Sequence, residues 1–353
     1  MAHQNYRDYS LTGSETKLAL EKGLASANWY ASPIPRARFK QLLQRRDGHA
    51  IRDTLIWWSL LIITGVLGYK TRGTWWVVPA FAAYGVLYCS TSDSRWHEGG
   101  HGTAFKTPWM NEVVYYMASF MVIREPTPWR WSHTRHHTDT IIVGRDPEIA
   151  VPRPPDLLGI ALNFLYLKSG PVELKKVIQH CFGSMTPAEA DYVPKEEWNK
   201  VYWTARVYVL IYVVFIAWAI AIHSFLPVMY VGLPSFYGAW LMIVHGLTQH
   251  AGLAEDVLDH RQNCRTVYMN PINRFLYWNK NYHVEHHMYP LVPYHALPAL
   301  HAELKADMPP PYKSIPEAYR EIIPALLRQV KEPTYYVKRP LPAPVATAVL
   351  QLA

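Results

Sequence analysis

The sequence predicts an all-α integral membrane protein with four transmembrane helices in two hairpins, interfacial helices and a helical cap outside the membrane. Half of the 353 residues are hydrophobic, and their long apolar runs come in two pairs. The 14 Trp and 24 Tyr residues are typical of chains that cross a membrane–water interface. A mean hydropathy near zero leaves room for a large polar part besides the spans.

The first predicted hairpin consists of spans at about 54–70 and 74–92, with a turn of a few residues between them. Each run is slightly shorter than the ~20 residues that a helical crossing needs, so each is extended at its ends. Tryptophans at these ends, such as Trp57 and Trp76, favour anchoring at the interface.

The second predicted hairpin consists of spans at about 206–225 and 228–247, which are almost purely apolar. The weaker run 113–123 is too short to cross and is predicted to be re-entrant or interfacial. The predicted membrane domain is therefore 51–305. Its cap comprises 93–205 and 248–305, and residues 306–353 form a C-terminal tail.

The net charge is +8, and the positions of the positive charges predict how the chain is oriented in the membrane. Residues 1–50 form a predicted cytoplasmic segment, since cations cluster before the first span and positive flanks stay inside. These cations are Arg36, Arg38, Lys40, Arg45, Arg46 and Arg52. Four crossings then place both termini and the cap in the cytoplasm. This arrangement explains the basic balance without nucleic acid, which is not an expected partner.

Eight of the 17 histidines fall into three short boxes. The boxes are His97 and His101; His133, His136 and His137; and His283, His286 and His287. Residues three or four apart share a helix face, so each box presents its imidazoles in one direction. The first box is predicted to continue the second span as one helix, and all three boxes reach the cytoplasmic side.

Imidazole is a common ligand for iron, zinc and copper. Eight imidazoles are too many for one metal ion and suit two ions with open positions. The stretch from His97 to His101 also fits the HExxH motif of zinc proteases, but that mechanism has no role for two further boxes. A membrane metal carrier would need polar residues along its spans, and these spans hold almost none.

The segments HEGGHGTAF, HTRHHTDTIIVGRDPEIAVP and YHVEHHMYPLVPYHALPALH resemble the three boxes of the membrane fatty acid desaturase family. The resemblance covers roughly 50–305 and is nearest to the acyl-lipid desaturases. It implies a membrane non-haem di-iron oxidoreductase with two iron ions and O2 as co-substrate. The implied reaction is fatty acyl desaturation of a lipid or acyl-chain substrate. The alternative, a hydroxylase or ketolase acting on a hydrocarbon, carotenoid or small amphiphile, stays open.

The resemblance also implies a ninth ligand just past the fourth span, where His250 stands. The implied ligand set is His97, His101, His133, His136, His137, His250, His283, His286 and His287. His245 is a possible extra ligand. Metal-bound imidazoles usually hydrogen-bond to an outer acceptor. Candidates for this outer layer are Glu98, Asp93, Asp139, Asp146, Asn281, Glu285, His260, His295 and His301.

The electrons for O2 chemistry need a source, and no haem-binding or iron–sulfur segment is visible. The three cysteines form no CxxC pair and no disulfide framework. We therefore predict a separate electron donor, of the ferredoxin or cytochrome type with a reductase, besides membrane lipid as a partner. The remaining histidines His3, His49, His180 and His223 are interpreted as surface or interfacial residues.

Overall fold

The computed structural model describes residues 6–25 and 27–342, and nearly all regular structure there is helical. Within those residues the backbone forms no strand, only isolated β-bridges joining Thr266 to Tyr282 and Val267 to Tyr312. The predicted all-α class is confirmed. The helices are α1 (Ser14–Glu21), α2 (Arg36–Leu42), α3 (Asp47–Lys70), α4 (Val77–Gly85), α5 (Thr91–His101), α6 (Pro108–Met121), α7 (Pro126–Thr138), α8 (Leu157–Asn163), α9 (Ser169–Cys181), α10 (Pro187–Tyr192), α11 (Trp198–Ala221), α12 (Leu226–Tyr230), α13 (Pro234–Tyr237), α14 (Trp240–His250), α15 (His260–Asn263), α16 (Pro271–Leu276), α17 (His283–Met288), α18 (Leu297–Leu304) and α19 (Ile315–Lys331). Short 3₁₀ turns lie at Lys195–Glu197, Tyr294–Ala296 and Lys305–Asp307.

Three helical stretches of the described chain are long and apolar enough to cross a membrane: Arg36–Lys70, Lys195–Ala221 and Leu226–His250. Their apolar side chains face outward, where Ile62 is 65% exposed and Ile220 is 68% exposed. Such surface is stable only when lipid covers it. Three of the four predicted crossings correspond to these stretches, and the crossing at 74–92 stays a prediction.

The second apolar run and the first histidine box form one continuous helix over 77–101, as predicted. Helices α4 and α5 are joined by a π-helical turn at Val86–Ser90, which widens the helix by one residue. A π turn changes the backbone pairing, and the carbonyl of Leu87 there accepts the indole N–H of buried Trp57 at 2.8 Å. Polar residues such as Asp93 and Arg95 follow the turn, so the helix has an apolar half and a polar half.

The last apolar stretch is broken into α12, α13 and α14, where the sequence predicts one span at 228–247. The hydroxyl of Ser90 bridges the second break by donating to the Gly238 carbonyl at 2.5 Å and accepting from the Met242 N–H at 2.8 Å. Broken helices are tolerated in membranes where such partners satisfy the backbone. A Cβ on Gly238 would lie 1.9 Å from the Gly85 carbonyl oxygen, so this glycine permits close helix packing.

The described parts of both chain flanks pack on the central bundle. Helix α19 buries Ala318, Ile322 and Leu326 in one cluster with Ala251 and Val267. Residues 6–25 and 27–32 pack across the bundle before α2 begins, where the Tyr6 N–H donates to the Arg153 carbonyl and the Tyr30 N–H to the Leu258 carbonyl. The predicted boundaries at 50 and 305 stay predictions. Residues 1–5, which include His3, residue 26 and residues 343–353 lie outside the described residues.

His180 is buried, so its interpretation as a surface or interfacial residue was wrong. Its Nδ1 lies 2.5 Å from Glu125 Oε2, and its Nε2 lies 3.1 Å from Glu189 Oε2. The ring therefore ties α9 to the start of α7 and to α10. Burial lowers the pKa of His180, but the two carboxylates outweigh burial and raise it to about 9.

Alkaline pH is expected to weaken this junction. The pKa of His180 rises from about 6.5 in an unfolded chain to about 9 in the fold. Its stabilisation, about 3 kcal/mol at most, is fully present below about pH 6.5 and is lost as the pH rises through about 9. Thermal unfolding of detergent-solubilised protein between about pH 6 and pH 10 checks this. A His180→Gln variant should lose part of this alkaline decline, and an identical decline in both proteins would contradict the assignment.

Candidate metal centre

Four helices bring the nine candidate histidines to one place in the bundle. Helix α5 carries the first box, α7 the second, α17 the third, and His250 is the last residue of α14. Gly99 lets α5 approach α6 closely, since a Cβ there would lie 3.0 Å from Tyr115 Cβ. The helical spacing within each box then directs the rings inward.

One group of ring nitrogens lies between α5, α7 and α17. His97, His101, His133, His137 and His286 each offer a nitrogen within 4.8 Å of the others. The Nε2 atoms of His97 and His286 are 2.7 Å apart. The Nε2 of His133 lies 3.1 Å from that of His101 and 3.1 Å from that of His137. These separations match five ligands converging on one point.

A second group lies beside the first. His136, His250 and His287 offer nitrogens within 4.8 Å of one another. The Nε2 of His283 lies 2.9 Å from that of His250 and 3.0 Å from that of His287, so His283 stands on this side too. The structure thus brings all nine candidates together in two adjacent groups.

His245 belongs to neither group. Its Nε2 lies 3.0 Å from the Asn273 side-chain oxygen, and its ring packs against Tyr277. Five residues before His250, it points to another side of α14. The possibility of an extra ligand at His245 therefore has no support from its position.

Outer hydrogen bonds fix which nitrogen of several rings faces inward. His136 Nδ1 lies 2.8 Å from Asp146 Oδ2, His133 Nδ1 lies 3.0 Å from Glu148 Oε2, and His250 Nδ1 lies 2.7 Å from the backbone oxygen of Asn263. Because these oxygens accept, each Nδ1 carries the hydrogen. In a neutral ring the Nε2 lone pair then points into the group.

The converging lone pairs fit metal cations. Neutral Nε2 atoms at about 3 Å repel each other unless a positive charge lies between them. Burial is the main cause that holds the pKa values of His97, His133 and His286 well below the ordinary value, so these rings are neutral. Burial also lowers the pKa of His136, but Asp146 outweighs burial and the net shift is upward. This donor set suits two divalent ions.

Of the predicted outer residues, Asp146 hydrogen-bonds to a histidine of the two groups, and His260 packs against His287 with ring centroids 5.2 Å apart. Glu98 accepts from Thr103 Oγ1 at 2.7 Å, and burial raises its pKa to about 7. Glu285 pairs with His301 Nδ1 at 2.5 Å, and Asn281 donates to the Val267 carbonyl at 2.8 Å. These three side chains brace the boxes without contacting the inward rings.

The sequence analysis missed three outer partners: Glu148, Asn263 and Thr140. Thr140 Oγ1 lies 3.2 Å from His287 Nδ1. Glu148 stands two residues after Asp146 in the turn that follows the second box, and this short spacing was the available signal. Asn263 acts through its backbone carbonyl, for which the sequence carries no side-chain signal.

A cavity of about 590 Å³ opens beside the histidines. The rings of His97, His133, His136, His250 and His283 reach its wall. Its apolar lining includes Ile141, Val151, Ile160, Met242, Ile243 and Leu247. This size is within the range of small-molecule sites in proteins.

The same cavity has a charged wall. Asp93 accepts from Arg124 Nη1 at 3.0 Å and from Lys280 Nζ at 3.0 Å. All three side chains line the cavity, as does Glu148. The cavity is therefore amphipathic. Its lining combines aliphatic side chains with a buried ionic cluster, and both lie near the candidate histidines.

Comparison with known families gives a match that covers all three histidine boxes. A family model described as fatty acid desaturase matches residues 73–318, which is more than half of the chain and contains all nine histidines. No curated protein matches the chain closely enough to count as a relative.

Proposed function

The chain belongs to the fatty acid desaturase family, and from this membership we propose that it oxidises an unactivated C–H unit of a lipid-like substrate with O2, using two iron ions. The leading reaction is fatty acyl desaturation. At the level of the family, the protein is an integral membrane oxidoreductase with a cluster of metal-binding histidines. The observation that carries the proposal is the convergence of nine imidazoles into two adjacent groups.

We assign one ion to His97, His101, His133, His137 and His286, and the other to His136, His250, His283 and His287. Imidazole ligands suit iron and leave positions open for oxygen. The pKa values held low by burial keep rings such as His97 neutral, as ligands must be. Asp146 and Glu148 orient His136 and His133 from outside.

When bound, two such ions supply the activation of O2 and the removal of hydrogen from a C–H bond. The protein's own residues hold the substrate and limit water. The aliphatic wall around Ile243 and Leu247 binds the methylene groups of the substrate. A substrate carbon at the wall formed by His97 then lies beside the metal ligands. The bundle around the cavity excludes bulk water from the reacting carbon.

A second candidate is hydroxylation of a small amphiphile at the same site. The cluster of Asp93, Arg124 and Lys280 favours it, because an acyl chain gains nothing from a charged wall. A substrate with a polar group next to a short apolar part would match both walls. Desaturation and hydroxylation differ only in the fate of the carbon after the first hydrogen leaves.

Expression in a host that supplies a ferredoxin and its reductase tests the reaction. We expect a new product in lipid and metabolite profiles, two hydrogens lighter for desaturation or one oxygen heavier for hydroxylation. The product should disappear in a His136→Ala variant, because that ring is held for metal binding by Asp146. Lipid and metabolite profiles that stay the same when the wild-type protein is expressed would contradict the proposed oxidation of host lipids.

The orientation is proposed from charge. The proposed chain crosses the membrane four times, with both termini and the metal site in the cytoplasm. This arrangement places the cations that precede α3 on the cytoplasmic side, in agreement with the positive-inside rule. Electrons would then come from a separate cytoplasmic or membrane donor. Reporter fusions at both chain ends test the orientation, and a periplasmic or luminal signal at either end would overturn it.

A further inference from the structure

The N-terminal arm, residues 6–25 and 27–32, is fastened to the cap along its length. The hydrogen bonds that hold it include Tyr6 N–H to Arg153 O at 2.7 Å, Tyr9 to Glu255 at 2.7 Å, Thr16 to Gly144 O at 2.7 Å, Trp29 to Thr138 O at 2.9 Å, Tyr30 to Asp307 at 2.7 Å, and Ser32 to Asp307 at 2.5 Å. Each bond to a buried partner adds about 1 kcal/mol. The side chains of the arm therefore hold fixed positions.

Trp29 lies in a part of the arm that packs beside the metal centre. Its indole ring stacks on the ring of His260, with centroids 4.2 Å apart and planes 3° from parallel. The His260 ring lies 5.2 Å from the ring of His287. Two aromatic contacts thus lead from half-buried Trp29 to a residue of the second histidine group.

Neither residue belongs to the nine candidate ligands, and His260 offers a ring nitrogen within 4.8 Å of the Cys264 and His287 ligand atoms. Trp29 lies outside residues 73–318, the part matched by the family model. His260 is only 2% exposed, and its Nδ1 has no hydrogen-bond partner among the described residues. An unpaired buried nitrogen costs free energy, so the stack with Trp29 and the hydrogen bond to Asn263 hold this ring in place without a partner on Nδ1.

The chain around Trp29 is strongly basic. Residues 22–46 contain six cations and no acidic residue. Arg38 pairs with Glu303 at 2.7 Å, whereas Lys22, Arg36, Lys40, Arg45 and Arg46 are exposed. Such a surface attracts a protein with an acidic face and speeds its association.

We propose that Trp29 and His260 form the electron path to the second metal position, and that an acidic ferredoxin docks on the surface formed by Trp29 and the exposed cations of residues 22–25 and 27–46. This inference rests on the proposed function, because it presumes a metal centre that must be reduced. Its partner is a small iron–sulfur protein that delivers single electrons. Redox encounters of this kind use small, charged interfaces.

The electron balance is complete with this donor. Each ferredoxin cluster loses one electron, and one ferric ion of the site becomes ferrous. Two deliveries supply two electrons, and the C–H substrate supplies the other two that reduce O2 to two water molecules during desaturation. Two protons come from solvent.

The first test measures how fast a reduced plant-type [2Fe–2S] ferredoxin reduces the oxidised, iron-loaded protein in a stopped-flow instrument. We expect Trp29→Ala to slow this reduction by more than about tenfold, with a smaller effect for Trp29→Phe, which keeps a ring. Reduction by dithionite, which needs no docking surface, should keep the wild-type rate and shows that the site is intact. Equal ferredoxin rates for Trp29→Ala and wild type would overturn the path.

The matched control is Trp198→Ala. Trp198 is also half-buried and donates its indole N–H to a backbone carbonyl, that of Val193 at 3.0 Å, but the described structure gives it no stacked histidine. This variant should be reduced by ferredoxin at the wild-type rate. An equal loss for both tryptophan variants would show a general effect of removing indole rings and would overturn the assignment.

The second test measures ferredoxin affinity by titration calorimetry. Reversal of Arg36, Lys40 and Arg45 to Glu should weaken binding about tenfold and reduce its dependence on salt. The control reverses Lys313, Arg320 and Lys331, which are exposed cations of the C-terminal part, and should leave the affinity unchanged. Equal losses of ferredoxin affinity in both triple variants would overturn the docking surface. The docking surface would also be overturned if reversal of Arg36, Lys40 and Arg45 weakened binding to anionic vesicles and left ferredoxin affinity unchanged.

These readouts separate the two proposals. If the dithionite-reduced wild-type protein forms no oxidised product with O2, the proposed function fails while the ferredoxin rates still stand. If the product forms but Trp29→Ala accepts electrons from ferredoxin normally, only the electron path fails.

Discussion

A His250→Ala variant is expected to lose most of its second metal ion and at least about a hundredfold of its activity. His250 Nε2 lies 2.9 Å from His283 Nε2, and its Nδ1 is held by the Asn263 carbonyl at 2.7 Å. Alanine removes the Nε2 lone pair of His250 from the second histidine group, which has few other ligands. Iron content by mass spectrometry should fall from about two ions per chain to about one, with product formation measured alongside.

His245→Ala is the matched control for this experiment. His245 is also a buried histidine of α14, but it faces Asn273 rather than the metal groups. We expect it to retain both ions, with at most a modest loss of stability from the missing hydrogen bond. Equal iron loss in the two variants would show that the effect comes from disturbing α14, and would remove His250 from the ligand set.

Asp146→Asn is expected to lower metal affinity or activity by about 10- to 100-fold. The carboxylate of Asp146 holds His136 Nδ1 at 2.8 Å and also accepts the Ile141 N–H at 2.7 Å. An amide is a weaker acceptor, and its N–H₂ group would face a donor if it turned over. His136 would then lose its fixed ring orientation. Iron affinity can be measured by competition with a chelator.

Asp139→Asn controls for the loss of one acid near the second box. Asp139 pairs with Arg145 at 3.0 Å and with Arg135 at 3.9 Å, and it contacts no metal-group histidine among the described residues. Its iron affinity should stay within about twofold of wild type. A comparable loss for Asp139→Asn would mean that local charge, rather than ring orientation, governs the site.

The histidine geometry followed from the sequence because its spacing is local. Residues three and four apart share a helix face whatever the rest of the fold does, so the boxes on α7 and α17 converge as their spacing indicates. The continuity of the second apolar run with the first box was predictable for the same reason. The family's typical position for a further histidine led to His250.

Other features depend on partners far along the chain. His180 was interpreted as a surface residue, because Glu125 lies 55 residues away and its approach is set by packing. The breaks in the last apolar stretch were equally hidden, since Ser90 of another helix satisfies the Gly238 carbonyl. The role of Asn263 belongs to its backbone, which every residue shares. Sequence patterns carry little information on such long-range pairings.

The π-helical turn at Val86–Ser90 has a consequence for changes in chain length. Each residue of a helix advances the side-chain direction by about 100°. Because the wide turn takes up one extra residue, winding the same residues as regular α-helix would swing His97 and His101 away from their partners, whereas deleting one residue within the turn would leave their direction nearly unchanged. An insertion in the polar turn after Lys70 would leave them in place. Hybrid proteins made with other members of the family should therefore exchange this turn and the first box as one unit.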